Sequence, residues 1–406
     1  MPFRIALSGL NAASADLSVT ANNIANVNTT GYKESRAEFA DLFPISSYGL
    51  ASNATGIGTS VSRVSQQFEQ GSITTTGSQL DLALSGEGFF TLSDNGATVY
   101  SRAGAFGTDR NGYVVNAAGQ RLQVFPPVRG GTSFDTARLS DLQLRTGDNP
   151  PAASTRVNAD INLPANAQPP ATTPFAATDP TSYNHTTSVT LYDSLGVAHT
   201  GNLYFIKDAG ANTWNVQLQV DGTDVGGLNA LTYSDTGELL TPSDGLLTLA
   251  GFTPTTGAAA MNLTLALGDS TQFGSSFGVA SLTQDGYAAG RLTGIEITQE
   301  GIVQARYTNG QATPLGQLAL ANFANPQGLQ QLGNSGWAET YASGQVIRGP
   351  AGSTNFGLVQ SGALEGSNVD LTEQLVNMIT AQRNFQANAQ MISTADQVTQ
   401  TVLNIR

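Results

Sequence analysis

Large apolar residues recur every seven positions at both ends of the chain. Near the N-terminus one row holds Phe3, Leu10, Leu17 and Ile24, and the row beside it holds Leu7, Ser14 and Ala21. Near the C-terminus one row holds Leu371, Met378, Phe385 and Ile392, and its neighbour holds Leu375, Gln382, Ala389, Asp396 and Leu403. This heptad spacing predicts two long terminal helices with paired seams.

The positions outside these rows are unusually poor in charge. Residues 371–406 contain ten Asn or Gln but only four charged side chains. A solvated coiled coil fills its outer face with Glu and Lys, whereas uncharged amides suit a helix with protein on several sides. The alternative is a terminal hairpin that packs only on its own domain. Asp370, with Glu373 three residues later, is the predicted N-cap of the C-terminal helix.

Between the helices, apolar alternation and turn residues predict β structure. Turns at residues 93–96, 109–112 and 118–119 separate short strands, and residues 294–323 repeat the pattern around Asn309-Gly310. Asn-Gly between alternating apolar residues is the strongest short-range signal of a hairpin. Trp214, Val216, Leu218 and Val220 alternate with polar residues, as in a half-buried strand.

A proline-rich segment suggests how these strands are divided. Residues 149–180 hold seven of the sixteen prolines and are predicted to be an extended linker or a crossing at the edge of a sheet. The expected fold is α+β and mainly β, with the terminal helices paired as a coiled coil and one of two β-rich domains inserted in the other; the family resemblance given below implies that the helices are the inner domain and the β domains the outer ones. The expected boundaries are 1–30 with 365–406 for the helices, 31–70 for a connecting segment, 71–145 with 285–364 for the first β domain, and 146–284 for the insert.

Composition removes several classes of function. The chain has no Cys, two His and a net charge of −13. The missing cysteines exclude disulfides and Cys-ligated metals, and the acidic balance argues against nucleic-acid binding. No apolar stretch reaches about 18 residues, so no membrane insertion is expected. The N-terminal residues lack the apolar core of a secretory signal, so no cleaved signal peptide is expected.

Candidate chemical motifs are better explained as turns. Gly333-Asn334-Ser335-Gly336 has no histidine in a triad context, and Gly86-Glu87-Gly88 lacks the third glycine of a dinucleotide site. The turns at 94–96 and 109–112 lack the spaced carboxylates of a calcium loop. No catalytic, cofactor or metal residue is predicted, and the chain is not expected to be an enzyme.

Two longer motifs carry a family resemblance. The N-terminal run Ala21-Asn22-Asn23-Ile24-Ala25-Asn26, continuing to Gly31-Tyr32-Lys33, resembles the signature of flagellar rod and hook proteins. The run Ser361-Gly362-Ala363-Leu364-Glu365-Gly366-Ser367-Asn368-Val369-Asp370 matches the other end of that family. Tyr192-Asp193-Ser194-Leu195-Gly196 and residues 284–292 resemble the outer domain of the hook branch, which rod proteins lack.

The resemblance implies a structural subunit of the flagellar hook, a flexible curved tube that acts as a universal joint between rod and filament. It implies export by the flagellar type III apparatus to an extracellular position. The implied partners are further copies of the chain, the distal rod protein, the hook cap, the hook–filament junction protein and the hook-length control protein. The implied self-assembly interface is Phe3, Leu7, Leu10, Leu17, Ile24, Leu371, Leu375, Met378, Phe385, Ile392 and Leu403. A rod subunit, a β-rich adhesin and, last, an enzyme remain alternatives.

Overall fold

The computed structural model describes residues 2–43, 56–128, 133–144 and 147–404. The chain divides into two compact units. The first comprises Met1–Thr146, Gly294–Arg306 and Ala312–Arg406, and the second comprises Gly147–Thr293 with Tyr307–Gln311. The fold is mainly β with one helix at each end of the chain, which confirms the predicted fold class at that level.

The first unit contains the two helices and a β-hairpin that follows the first helix. Helix α1 spans Pro2–Ala25, and the hairpin strands are β1 (Ser35–Leu42) and β2 (Gly58–Gln66). Helix α2 spans Leu371–Asn404, about 50 Å at 1.5 Å per residue. Its N-cap is Asp370, as predicted, because one carboxylate oxygen accepts hydrogen bonds from the backbone N–H groups of Thr372 and Glu373. The two helices pack against each other, and α1 also contacts β1 and β2.

The remaining strands of the first unit come from two parts of the chain. The earlier set is β3 (Ile73–Thr75), β4 (Leu82–Ser85), β5 (Phe89–Asp94), β6 (Ala97–Ser101), β7 (Phe106–Thr108), β8 (Val114–Asn116), β9 (Arg121–Phe125) and β10 (Ser140–Asp141).

The second unit then supplies the next strands in chain order. They are β11 (Arg156–Pro164), β12 (His185–Tyr192), β13 (Ala198–Lys207), β14 (Thr213–Val220), β15 (Thr223–Tyr233), β16 (Leu239–Thr241), β17 (Leu246–Phe252), β18 (Met261–Ala266), β19 (Thr271–Phe273) and β20 (Gly278–Gln284).

The later strands return to the first unit. They are β21 (Leu292–Ile297), β22 (Ile302–Tyr307), β23 (Ala312–Leu318), β24 (Leu320–Asn322), β25 (Gln330–Gly333), β26 (Gly336–Ala338), β27 (Ile347–Gly349), β28 (Leu358–Ser361) and β29 (Ala363–Glu365).

One branched sheet joins the early and late strands of the first unit. Its main path runs β21-β22-β23-β9-β5-β6-β26-β25, and the separate pairs β4–β28 and β3–β29 also join early to late sequence. The predicted hairpins are present: β5 pairs β6 across Asn95-Gly96, and β22 pairs β23 across Asn309-Gly310. The core is a cluster around Phe90 and Leu318, with an aromatic group around Trp337 beside it.

Two sheets form the second unit around one core. Strands β12 to β16 pair consecutively, and the other sheet runs β17-β18-β11-β19 with β20 also paired to β11. The alternation predicted for Trp214 to Val220 is confirmed, because all four apolar side chains of that strand are buried. Buried residues of both sheets make a single hydrophobic cluster that includes Trp214, Phe205 and Leu263.

The proline-rich segment differs from its prediction as a linker. Residues 156–164 within it form β11, which lies inside a sheet and not between domains. The reason is a period-2 pattern, since Val157, Ala159, Ile161 and Leu163 are all buried on one face. Prolines on both sides of the strand obscure this alternation in the sequence. Pro164 is tolerated because it is the last residue of the strand.

Candidate assembly site

Small and polar side chains make the contact between the two helices. Ala6 and Ala13 of α1 are buried, and so is Ala381 of α2. A side chain at Gly9 would begin only 2.5 Å from the Asn388 Oδ1 atom. Without such side chains in the way, the helix backbones approach closely. The fully buried apolar side chains of the two helices are therefore small, and each removes little apolar surface from water.

The burial along the helices agrees with the predicted seam only in part. Ser14, Gln382 and Asp396, which the heptad rows placed in the contact, are exposed. The buried rows are instead Ala6, Ala13 and Thr20 on α1, and Gln374 and Ala381 on α2. Small residues determine the contact because large ones would hold the helices apart. Heptad reasoning that begins from large apolar residues misses such a row.

The large apolar side chains of the predicted interface are left uncovered to different degrees. Phe3 is 50% exposed, and Leu7, Leu371 and Leu375 are also exposed. Leu10, Leu17, Ile24, Met378, Phe385 and Ile392 are half-buried. The side chain of Leu403 lies outside the described residues. The predicted interface residues that the structure describes thus form a half-buried set and an exposed set.

Further exposed apolar residues on the helices were not predicted. They are Ile5, Val376, Ile379, Met391 and Val398, the last being 58% exposed. Phe3 also lines an open groove of about 730 Å³ with Met391, Val398 and other residues of α2. The i, i+4 pair Leu375 and Ile379 was the available sequence signal, but Ile379 belongs to neither of the two heptad rows.

A polar junction anchors the helices to the strands of the first unit. The Asn23 side chain on α1 donates to the Ser35 carbonyl and to Gln374 Oε1 on α2, at 2.8 and 3.1 Å. Its own Oδ1 accepts from the Ser35 N–H and from the Tyr32 hydroxyl. One buried amide therefore links α1, the start of β1 and the first turns of α2.

Gly31 makes the second connection of this junction. Its N–H donates to the Glu365 carbonyl at 2.8 Å, and its φ of +66° is in the left-handed region that favours glycine. A Cβ there would lie 2.4 Å from the Ala103 backbone nitrogen. The motif therefore requires glycine for two reasons, the backbone angle and the close approach of another segment.

A buried ion cluster completes the junction. Glu365 places one carboxylate oxygen 2.7 Å from Lys33 Nζ and the other 3.3 Å from Arg102 Nη1. All three side chains are almost fully buried. Lys33 Nζ also donates to the Glu69 carbonyl at 2.6 Å, and Arg102 Nη2 donates to the Gly86 carbonyl at 2.8 Å. This is the Glu365 cluster: Glu365, Lys33 and Arg102.

Burial and ion pairing have opposite effects on the pKa values of Lys33 and Arg102. Burial lowers the pKa of Lys33 below its ordinary value, although the Glu365 charge works to raise it. Burial likewise lowers the pKa of Arg102 against the same opposing carboxylate. Both cations therefore depend on Glu365 to remain charged at low cost inside the protein.

The other residues of the N-terminal motif surround this junction. Asn22 donates to the Tyr32 hydroxyl, and the Asn26 side chain donates to the Asn22 carbonyl at 2.9 Å. Ile24 is half-buried, and Ala21 and Ala25 are exposed. From the C-terminal motif, Asn368 accepts the Glu34 N–H at 2.7 Å. The two motifs that carry the resemblance thus meet in space.

Neither a metal centre nor a membrane-spanning helix is found in the described parts of the chain. No group of three or more His, Cys, Asp or Glu among those residues is arranged to hold a metal ion. None of the helices described here is long and apolar enough to cross a bilayer.

Paired terminal helices joined to outer β units by these two motifs define a class, the axial proteins of the flagellum. Family models match in order: "Flagella basal body rod protein" over residues 3–33, "Flagellar hook protein FlgE/F/G D1 domain" over 83–172, "Flagellar basal body protein FlaE D2 domain" over 162–287, and "Flagellar basal body rod FlgEFG protein C-terminal" over 360–405.

Relatives that match over the full length identify the branch of this class to which the chain belongs. The chain is 40% identical over 414 residues to the flagellar hook protein FlgE of Salmonella typhimurium and 39% identical to that of Escherichia coli, each match covering 100% of both chains. It is 34% identical to the flagellar hook protein FlgE of Borreliella burgdorferi, over 98% of each chain. The chain therefore belongs to the flagellar hook protein FlgE family.

A solved structure agrees at the level of the fold. The crystal structure of the Helicobacter pylori flagellar hook protein FlgE2 matches with a TM-score of 0.56 at 16% identity, covering 72% of this chain and 100% of that one. The common architecture is thus retained where little sequence is shared.

The Glu365 cluster gives a direct test of the junction. Glu365→Gln leaves Lys33 and Arg102 buried beside a neutral amide, which we expect to lower the free energy of unfolding by about 3–5 kcal/mol. Denaturant unfolding followed by circular dichroism measures the change. The matched control is Glu38→Gln, which breaks the exposed pair with Arg63 and should cause no resolvable change. Equal stability of the two variants would show that the cluster does not hold the junction.

Proposed function

We propose that the chain is a structural, non-enzymatic subunit of the flagellar hook. It polymerises into a flexible curved tube that transmits torque from rod to filament and encloses the export channel. The supporting observation is the exposed apolar surface of α1 and α2, which the intramolecular helix contact does not use. Neighbouring copies would cover this surface, as in an open head-to-tail polymer.

The size of the exposed surface supports this role. Full burial of a side chain such as Phe3, Leu375 or Ile379 stabilises by roughly 1.5–3 kcal/mol relative to exposure. Several of these residues occur on each helix, so each copy gains substantial free energy by assembling. The helices carry few charges, which removes the cost of desolvating them in a crowded polymer.

The helices of neighbouring copies form the inner tube, with coiled-coil packing along their heptad rows. The interface comprises the predicted residues Phe3, Leu7, Leu10, Leu17, Ile24, Leu371, Leu375, Met378, Phe385, Ile392 and Leu403. The residues Ile5, Val376, Ile379, Met391 and Val398 extend it. Residues Ala21 to Asn26, with Gly31 and Tyr32, hold the helices to the strands that they leave.

The proposed partners follow from the position of a hook. They are further copies of the chain, the distal rod protein, the hook cap protein and the hook–filament junction protein. The type III export apparatus and the hook-length control protein act on the chain during export. The assembled subunit is extracellular and is exported without a cleaved signal peptide. Family membership supports these partners, and the low charge of the helices suits passage in unfolded form.

The direct test of the function is electron microscopy of cells that lack the protein. Rods that are intact but carry neither hooks nor filaments support the proposal, and expression of the chain in those cells should restore curved hooks. A straight polymer built from this chain would favour the runner-up, a rod subunit. Complete filaments in its absence would refute both.

A substitution at Leu375 distinguishes an effect on assembly from an effect on folding. Leu375→Asp places a charge on an exposed position of α2, so the subunit should fold as before. In the polymer the same charge would be buried without a partner, and we expect loss of hook assembly, seen by electron microscopy. The control is Leu228→Asp, at a leucine of the second unit that is also exposed, and this variant should still build hooks. Normal hooks from Leu375→Asp would exclude this face from the interface.

The second unit is proposed to be a domain inserted in the first. Its two sheets enclose their own cluster of buried residues, from Val157 to Leu267, and a domain with its own core can fold alone. Residues 147–293 expressed alone should therefore unfold in a single cooperative transition on heating, monitored by calorimetry. A gradual change without a heat-absorption peak would contradict the proposed insertion.

A further inference from the structure

The second unit contains a histidine held between two carboxylates. His199 lies on β13 and its side chain is 6% exposed. Its Nδ1 is 2.6 Å from Asp221 Oδ2, and its Nε2 is 3.3 Å from Asp193 Oδ2. The edge of the Phe252 ring covers the imidazole. The ring therefore has a carboxylate at each nitrogen and little contact with water.

These contacts join separate parts of the second unit. Asp193 follows β12, Asp221 lies between β14 and β15, and Thr256 in the loop after β17 donates to Asp193 Oδ2 at 2.8 Å. Asp193 also accepts from the backbone N–H groups of Leu195 and Val197, both at 2.9 Å. We call His199, Asp193, Asp221 and Thr256 the His199 clamp.

The arrangement favours a protonated imidazole. A neutral histidine has one N–H, so one of the two carboxylates would face a nitrogen lone pair. The remaining neighbours do not relieve this repulsion, because Thr256 already donates to Asp193 and the Thr200 N–H donates to Asp221 Oδ1. The charged groups that face the ring are Asp193 and Asp221, while Thr256 and Phe252 carry no charge.

We propose that the His199 clamp is a pH-sensitive fastening of the second unit, closed while His199 is an imidazolium and loosened when the ring loses its proton. The inference goes beyond the proposed assembly function and does not depend on it. Loosening would weaken the connection that the His199 ring makes between Asp193 in the turn at residues 193–197 and Asp221 in the β14–β15 turn. The stability of the outer unit would then depend on the pH around the polymer.

The direction of the pH effect follows from the folded-state pKa values. Burial acts to lower the pKa of His199, but hydrogen bonds to Asp221 and Asp193 raise it above its ordinary value. Burial acts to raise the pKa of Asp193, but its hydrogen bonds lower it to about 2. The contribution of His199 is complete below about pH 6.5 and is lost as pH rises through its raised pKa. The contribution of Asp193 is present above its ordinary pKa and is lost as pH falls toward about 2.

Histidine-selective NMR on the full chain tests the protonation step, because only His185 and His199 contribute signals. Burial lowers the pKa of His185, whose ring stacks on Phe277. We expect His199 to titrate above about pH 6.5 and His185 below it. His185→Gln assigns the signals by removing one of them. A His199 signal that titrates at or below that of His185 would overturn the proposal.

Thermal unfolding of the full chain tests the fastening itself. Between pH 6.5 and pH 9 the unfolding temperature of the second unit should fall by at least about 2 °C in the wild type and in His185→Gln. His199→Gln should remove that pH-dependent fall. Should His199→Gln fail to fold, Asp221→Asn serves instead and should move the fall to lower pH. The same fall in wild type and His199→Gln, or no shift with Asp221→Asn, would overturn the proposal.

Discussion

The buried carboxylate of Glu365 is the interaction on which the architecture depends most. Glu365 is the last residue of β29. Its carboxylate pairs with Lys33 from the N-terminal motif and with Arg102, which follows β6. Three distant parts of the sequence therefore meet at one charge. Because a buried carboxylate with two cations is stable only when every partner is present, the cluster permits one arrangement of these segments. Gly31 and Asn23 then set the direction in which the helices leave.

On the helices, small and large side chains differ in burial. Small residues such as Ala6, Ala13 and Ala381 are fully buried, and large residues such as Phe3 and Leu375 remain exposed. The exposed large residues contribute little to the stability of the helices in a single chain. Ordering the backbone costs about 1–2 kcal/mol per residue. We propose that neighbouring copies supply contacts that the helices lack in the single chain, which would couple the order of the helices to assembly.

Local patterns in the sequence were sufficient to predict the helices, the Asn-Gly hairpins, the Asp370 cap and the strand around Trp214. The fully buried rows of the helices were not predicted, because they consist of small or polar residues and carry no strong apolar signal. The pairing of Lys33 with Glu365 spans 332 positions, and no periodicity connects residues so far apart. Strand β11 was missed for a different reason, since its alternation was readable but lay among prolines. The family motifs were recognised as sequence, and their mutual contact became visible only in three dimensions.

We propose that assembly, more than the contact between the two helices of one chain, orders the terminal helices. The test is hydrogen exchange of the backbone amides in α2, measured on the free subunit and on the polymer. We expect rapid exchange for residues 375–398 in the free subunit and strong protection of the same amides in the polymer, with the β strands protected in both. Equal and strong protection of α2 in the free subunit would contradict it.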